Sequence, residues 1–178
     1  MKVLGVLAAL ITLIMAFGRR GGAGGSPEPL KVGGAAPDFD LPDQDGKRYT
    51  LFDYRGKWLA LYFYPRDDTP GCTKQACAFR DDIHQLRDLG AEVVGVSVDD
   101  RASHARFARK YDLTFPLLAD SKGETARRYD SIWPLIGIAR RNTFLIDPEG
   151  NVARIYRSAS ASRNSGEIVE DLKGMKNS

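Results

Sequence analysis

The stretch WLALYFYPRDDTPGCTKQACAFRD, residues 58–81, predicts a buried strand, a short polar loop and an amphipathic helix in direct succession. WLALYFY is a nearly continuous apolar run, which is typical of a strand covered on both faces of a sheet. The helix repeats apolar residues along one face, namely Cys72, Ala76, Phe79, Ile83 and Leu86. The loop PRDDTPG therefore joins the carboxyl end of a strand to a helix N-terminus, where open α/β sheets place their sites.

Strand-like and helix-like segments alternate on both sides of this unit, which predicts an α/β domain. AEVVGVSV (91–98) is a second covered strand. Residues 143–156 predict a hairpin that turns at DPEG, and residues 37–51 predict an N-terminal hairpin that turns at Asp45-Gly46. Helical spacing occurs in four segments, which are 72–89, 102–112, 122–129 and 166–174.

The composition indicates a globular domain without a strong charge preference. Of the 178 residues, 43% are hydrophobic and 28% are charged, which is ordinary for a soluble protein. The formal net charge of +3 disappears when Lys2, Arg19 and Arg20 are set aside. No basic stripe with interleaved aromatic residues occurs, so nucleic acid is not an expected partner.

The N-terminus, MKVLGVLAALITLIMAFGRR (1–20), carries an unbroken apolar run from Val3 to Phe17. Fifteen helical residues cover ~23 Å, short of the ~30 Å hydrocarbon core of a bilayer. This anatomy predicts a secretory signal peptide, with Ala16-Phe17-Gly18 as a cleavage site, or an uncleaved tilted anchor that ends at Arg19-Arg20. Either segment would place the protein outside the cytosol, in the periplasm or on the inner membrane of a bacterium.

A linker is expected behind this segment, because residues 18–37 contain seven glycines and three prolines. The predicted organisation is a signal peptide or anchor over 1–18, a linker over 19–36 and one domain over 37–178.

The two cysteines allow several interpretations. In a regular helix the Cα atoms of Cys72 and Cys77 lie ~8.7 Å apart and ~140° around the axis, beyond the ~7 Å that a disulfide allows. A metal site lacks the spacing of a zinc centre, and His84 and His104 are expected to be surface residues. Inert buried thiols are a third alternative, which fits Cys72 poorly because a helix N-terminus favours the thiolate.

A reactive Cys72 with Cys77 in reserve is the interpretation that we favour. The pattern C-x-x-x-x-C differs from the C-x-x-C of thiol–disulfide exchange. The longer spacing suits a thiol that reacts with another molecule first and meets its partner after the helix opens. Oxidation to sulfenic acid, followed by condensation with the second thiol, is such a sequence.

YFYPRDDTPGCTKQACAFRD (62–81) resembles the active-site signature of the peroxiredoxins, in particular the Q-type or bacterioferritin-comigratory-protein branch. The pattern P-x-x-x-T-x-x-C is present, with a second cysteine five residues later. GVSVDD (95–100), SHARFARKYDLTFPLLAD (103–120) and RNTFLID (141–147) also resemble that branch, in the same order. The similarity covers about residues 31–175.

This resemblance implies a thioredoxin-like fold, a central mixed sheet flanked by helices with an N-terminal hairpin. It also implies reduction of hydrogen peroxide and organic hydroperoxides by thiol chemistry, without a metal or organic cofactor. A thioredoxin-like protein would be the reductant, and the enzyme would be a monomer.

The resemblance also implies roles for five residues. Cys72 would be the peroxidatic and Cys77 the resolving cysteine, Thr69 would hold the peroxide and the thiolate, and Pro65 would shield the pocket. The arginine of the family falls on Arg141, counted back from Thr143-Phe144, whereas a count forward from Gly137-Ile138 favours Arg140. We choose Arg141, because strand register decides which side chain faces the pocket.

Two other functions are weighed against this one. An extracytoplasmic thiol–disulfide reductase of thioredoxin-like fold would use C-x-x-C, which this sequence lacks. A copper-delivery protein of the same fold would pair C-x-x-x-C with a later histidine, and neither histidine lies at the expected place.

Overall fold

The computed structural model describes residues 30–176 of the chain. Its strands are β1 (Asp40–Pro42), β2 (Arg48–Thr50), β3 (Trp58–Phe63), β4 (Ala91–Ser97), β5 (Leu117–Ala119), β6 (Thr143–Ile146) and β7 (Val152–Tyr156). Its α-helices are α1 (Pro70–Asp81), α2 (Ile83–Asp88), α3 (Arg101–Lys110), α4 (Glu124–Arg128) and α5 (Asn164–Lys176), and a 3-10 helix covers Leu51–Tyr54. The predicted signal peptide or anchor, and the predicted linker up to residue 29, lie outside the described residues.

The central sheet has the strand order β5-β4-β3-β6-β7. β3 and β5 run parallel to β4, whereas β6 runs antiparallel to both β3 and β7. β1 and β2 form a separate antiparallel hairpin before the sheet. The α/β class, the mixed thioredoxin-like sheet and the N-terminal hairpin are therefore confirmed.

β3 is buried on both faces, as its apolar sequence predicts. Leu59, Leu61 and Phe63 point to one face of the sheet. There they pack with side chains of the 3-10 helix, of α4 and of the N-terminal β1–β2 hairpin. The alternate residues Ala60 and Tyr62 point to the other face. There they meet apolar side chains from four helices, which are Phe79 of α1, Leu86 of α2, Phe107 of α3 and Leu172 of α5. Two hydrophobic layers thus hold the central strand, and they fix the point at which it ends.

The helix predicted over 72–89 is two helices. Its predicted apolar face is buried throughout, but the backbone leaves the helical conformation at Asp82 (φ −89°, ψ 1°). The Asp82 N–H is shared between the carbonyls of Ala78 and Arg80. This single tight turn redirects α2, so that Ile83 and Leu86 enter the same core as Phe79.

β5 was not predicted. Its three residues are too few to show a period of their own, and it exists because Leu117–Ala119 pair with Gly95–Ser97 of β4.

The described chain joins the domain before the predicted boundary at residue 37. Gly33 N–H donates to the Val152 carbonyl over 2.8 Å, and Val152 N–H donates to the Gly34 carbonyl over 2.8 Å. Ala36 N–H donates to the Gly150 carbonyl. Residues 33–36, which their glycine content predicts to be part of a linker, therefore pair by backbone hydrogen bonds with residues at or just before the start of β7.

The two histidines have different environments. His84 on α2 is exposed, as expected, but the expectation that His104 lies on the surface is wrong, because its exposed fraction is 0%. Within residues 30–176, no helix is both long enough and apolar enough to cross a membrane.

Candidate active site

The first turn of α1 carries Cys72 at its third position. Pro70 occupies the first position, where its missing N–H costs nothing. Thr69 is the N-cap, yet its hydroxyl donates to the Arg66 carbonyl (3.0 Å) and makes no capping bond to the helix in the described structure. The leading N–H groups of α1 are therefore left to act on a negative charge at the helix N-terminus.

The two thiols are free and lie on one unbroken helix. Cys72 is 1% exposed and packs in the core layer with Ala76 and Phe79, whereas Cys77 is partly exposed. Because α1 is regular from Pro70 to Asp81, the helical geometry that separates the two residues by more than a disulfide can span applies here.

Arg141 contacts the thiol of Cys72. Its Nη2 lies 3.4 Å from Cys72 Sγ, and its Nη1 donates to Gln75 Oε1 over 2.7 Å and to the Gly71 carbonyl over 3.4 Å. Tyr62 of β3 pairs with Thr143 of β6, so the end of β3 and the start of β6 lie side by side. This register brings Arg141, two residues before β6, to the N-terminus of the helix that follows β3.

A buried polar chain holds Arg141 in this position. Gln75 is 1% exposed, and its Nε2 donates to Asn164 Oδ1 over 3.1 Å. The same Asn164 oxygen accepts from the Thr143 hydroxyl over 2.6 Å. The chain connects β6, α5 and α1 to the guanidinium, and our sequence analysis missed it. The available signal was Gln75, a polar residue three positions after Cys72 on the apolar face of the helix.

Arg140 lies near the site but points elsewhere. Its guanidinium stacks over the Trp133 ring, with 4.4 Å between Cζ and the ring centroid. Asn142 N–H donates to the Arg140 carbonyl in a tight turn, so the two neighbouring arginines leave the backbone in different directions.

A cavity of about 360 Å³ opens beside Arg140 and Arg141. Pro65, Arg140 and Arg141 line it together with Trp133, Asn142, Arg157, Ser158 and Ala159. Trp133 is the large apolar side chain of this lining and is 49% exposed, and the fully exposed Leu135 follows it two residues later in the chain. A larger groove of about 670 Å³ between α2 and α5 is lined by neither Pro65 nor Arg141, so size alone does not mark the site.

Tyr62 lies beneath α1 and carries no charge. Its ring stacks on Phe79 with 4.8 Å between centroids, and its hydroxyl is buried without a partner among the described residues. Burial raises the pKa of Tyr62 well above its usual value. A Cβ on Gly95 would meet the Tyr62 hydroxyl at 2.8 Å, which explains a glycine within β4.

The described residues contain no group of three or more histidine, cysteine or acidic side chains that could hold a metal ion. The chemistry that the arrangement offers is that of a buried thiol beside a guanidinium and a helix N-terminus. Such a thiol is a nucleophile, and the same donors can stabilise an oxygen that gains negative charge.

The sequence matches the AhpC/TSA family over residues 32–155. It is 49% identical over 148 residues to "Peroxiredoxin Q, chloroplastic" of Arabidopsis thaliana, which covers 83% of this chain and 68% of the relative. It is 39% identical over 154 residues to "Peroxiredoxin Bcp" of Bacillus subtilis, which covers 82% of this chain and 97% of the relative.

The fold is similar to a solved structure of the bacterioferritin comigratory protein of Xanthomonas campestris, described in connection with alkyl peroxide reduction. The TM-score is 0.75 at 32% sequence identity, and the similarity covers 82% of this chain and 97% of that protein.

We predict that Arg141, rather than Arg140, supports the Cys72 thiolate. In a Cys77→Ser background, Arg141→Ala should slow oxidation of Cys72 by hydrogen peroxide about 10²-fold, because one aimed donor is lost. Arg140→Ala is the matched control and should change this rate little. Stopped-flow oxidation of the two variants is the measurement, and the opposite ranking would show that Arg140 holds the thiolate.

Proposed function

The chain belongs to the AhpC/TSA family and is a thiol-dependent peroxidase, and we propose that Cys72 attacks the peroxide and Cys77 resolves the product. The observation that carries the assignment is the Arg141 guanidinium, 3.4 Å from a buried thiol in the first turn of a helix. Cys77 is the one other thiol of the chain, and it lies five residues, or about 1.4 turns, further along the helix, away from that N-terminus.

In the first step, the Cys72 thiolate attacks one oxygen of the peroxide. A sulfur–oxygen bond forms, the O–O bond breaks, and the departing oxygen leaves as an alkoxide or hydroxide that takes a proton. The sulfur is oxidised to sulfenic acid and the peroxide is reduced to an alcohol or water. Arg141 and the N–H groups at the start of α1 stabilise the charge on the departing oxygen. We propose that the Thr69 hydroxyl orients the peroxide and that Pro65 excludes water at the cavity wall.

In the second step, the Cys77 thiol attacks the sulfur of the sulfenic acid. A disulfide forms and water leaves. The intact α1 does not allow this bond, so residues 72–77 must leave the helical conformation first. A thioredoxin-type reductant then supplies two electrons and two protons to restore both thiols.

Peroxides are the substrates of this enzyme, and both organic hydroperoxides and hydrogen peroxide are proposed to react. The half-exposed ring of Trp133, which lines the cavity, supports acceptance of an alkyl group beside the reacting oxygen. We also propose that the protein acts as a monomer.

We propose further that residues 1–18 direct the protein out of the cytosol and that residues 19–36 connect this segment to the domain. The apolar run over 3–17 and the arginines that follow it support this proposal. In the periplasm a thioredoxin-like domain or a membrane-relayed donor would replace the cytosolic reductant.

The two cysteines should differ in what their loss does. Cys72→Ser should abolish peroxide consumption, because the attacking sulfur is gone. Cys77→Ser should complete one fast turnover and then stop as sulfenic acid, open to further oxidation. Stopped-flow peroxide assays and mass spectrometry distinguish the two cases, and sustained turnover by Cys72→Ser would refute the assignment.

Oxidation should open the start of α1. Opening residues 72–77 removes a few helical hydrogen bonds at ~0.5–1.5 kcal/mol net each, which is within reach of local unfolding. Amide hydrogen exchange should therefore become faster in residues 70–80 of the disulfide form. Cys77→Ser treated with one equivalent of peroxide is the control, since it cannot form the bond and should keep its protection. Equal protection in both forms of the wild type, with the disulfide confirmed by mass, would contradict the proposed opening.

Export should be visible with a reporter. An enzyme that is active only in the periplasm, fused after residue 36, should be active in a bacterial host. The same fusion without residues 1–18 should be inactive. If the reporter fused after residue 36 is inactive and the protein is found in the cytosolic fraction, the reductant would be a cytosolic protein instead.

A further inference from the structure

A second buried polar cluster lies under the loop before α1, and the peroxidase chemistry above does not use it. Asp67, in this loop, is almost fully buried and accepts from the Tyr64 hydroxyl over 2.7 Å through Oδ1. Its Oδ2 lies 2.8 Å from Nδ1 of His104, which α3 holds with no exposed surface. The other ring nitrogen of His104, Nε2, lies 3.2 Å from the Leu118 carbonyl of β5.

The hydrogen-bond partners of His104 and Asp67 determine which of their atoms carry protons. A carbonyl only accepts, so His104 Nε2 must carry a proton that it donates to Leu118. Burial raises the pKa of Tyr64, so its hydroxyl keeps its proton and donates to Asp67. One more proton must lie between His104 Nδ1 and Asp67 Oδ2, since two bare acceptors 2.8 Å apart would repel. The histidine and the carboxyl group together are therefore neutral, as a buried pair should be.

Asp67 connects this pair to the catalytic loop. Its N–H donates to Asp99 Oδ2 over 2.9 Å, and the same carboxylate oxygen accepts from the Ser97 hydroxyl at the end of β4. Asp67 is thus held by β3, by α3 and by the segment after β4. It stands two residues after Pro65 and two before Thr69, which are the residues that form the wall and the N-cap of the active site.

Asp68, the next residue of the loop, is held by Lys110 at the end of α3 and by Tyr111, which follows α3. Asp68 has φ +54°, a left-handed conformation that is uncommon for residues other than glycine and that aspartate adopts more readily than most. Its carboxylate accepts from Lys110 Nζ (2.7 Å) and from the Tyr111 hydroxyl (2.7 Å). The loop conformation therefore depends on contacts with α3 at two consecutive residues, one buried and one exposed.

We propose that His104 is a positioning residue of the peroxidase, which fixes the loop from Pro65 to Thr69 through its buried neutral pair with Asp67. This proposal rests on Cys72 as the reacting thiol. His104 touches neither the thiol nor the cavity, so it acts through Asp67 on the place where the peroxide is held. A displaced loop would leave Cys72 present but would misplace the groups around it.

The test compares variants that keep or break the bond inside the pair. His104→Phe removes both donors at similar bulk and leaves Asp67 Oδ2 unpaired. It should slow oxidation of Cys72 by hydrogen peroxide about 10-fold or more, since misplaced groups lose rate steeply. Asp67→Asn keeps the geometry without charge, because its oxygen still accepts from Tyr64 and its amide can donate to a neutral His104 Nδ1. It should therefore lose less of the oxidation rate than His104→Phe does. His104→Asn, which retains a donor toward Asp67, should recover part of the rate.

His84→Phe is the matched control, the same substitution at the exposed histidine of α2, and it should stay within about twofold of the wild type. Circular dichroism and thermal unfolding of every variant separate loss of rate from loss of fold. A folded His104→Phe that is oxidised at the wild-type rate would overturn the proposal. Asp67→Asn as slow as His104→Phe would also overturn it, because charge would then matter rather than position.

Nitrogen NMR of the wild type provides a measurement that does not depend on the stability of a variant. His104 should show a protonated Nε2 and a hydrogen-bonded Nδ1 at pH 7, and only the Nδ1 signal should move in Asp67→Asn. An Nε2 without a proton would contradict the assigned pair. Wild type and Cys72→Ser belong in the same peroxide assay, because an inactive wild type would refute the peroxidase, whereas an active wild type equalled by His104→Phe would refute only this inference.

Discussion

Five residues of α-helix keep the two thiols too far apart to bond, and most of the site depends on that separation. The intact first turn of α1 presents N–H groups to Cys72 and holds its thiol beside Arg141, which the start of β6 supplies. The same intact turn holds Cys77 on a different side of the helix. In the mechanism that we propose, the structure that favours attack on the peroxide is therefore not the structure that forms the disulfide, and the helix would alternate between them.

The buried polar chain around Arg141 extends this coupling. The guanidinium is held by Gln75, which stands between the two cysteines on α1. If residues 72–77 open as proposed, Gln75 would move with them, and Arg141 would lose its bond to Gln75 Oε1 together with its contact to Cys72 Sγ. The proposed second step, disulfide formation, would thus separate Arg141 from the sulfur that it contacts in the dithiol form. The loop before α1 has separate supports on α3 and β4, so it can remain in place while the helix opens.

The sequence predicted the parts of this structure that have a local signal. β3 and β4 are long apolar runs, and the face of α1 that carries Cys72, Ala76 and Phe79 has helical spacing, so both follow from neighbours in sequence. β5 did not follow, because it is defined by its pairing with β4 rather than by its own three residues. The turn at Asp82 did not follow either, because packing of the helix that comes after it sets that direction.

The positions of His104 and Asp67, which hold the loop before α1, could be predicted only in part from the sequence. His104 shares the buried face of α3 with Phe107 and Ala108, three and four residues later, so its burial had a signal in the spacing. Its partner Asp67 lies 37 residues earlier, and no local pattern connects the two. Contacts of this kind come from the register of the sheet, which brings the ends of β3, β4 and β6 together. The opened helix has a further consequence, because the disulfide form lacks hydrogen bonds that the dithiol form has. If opening costs about 2–3 kcal/mol, the reduction potential rises by roughly 40–65 mV, since 30 mV corresponds to about 1.4 kcal/mol for a two-electron couple. In the proposed cycle, refolding of α1 would thus favour reduction of the disulfide, and the spacing of the cysteines would promote the return to the reactive thiol.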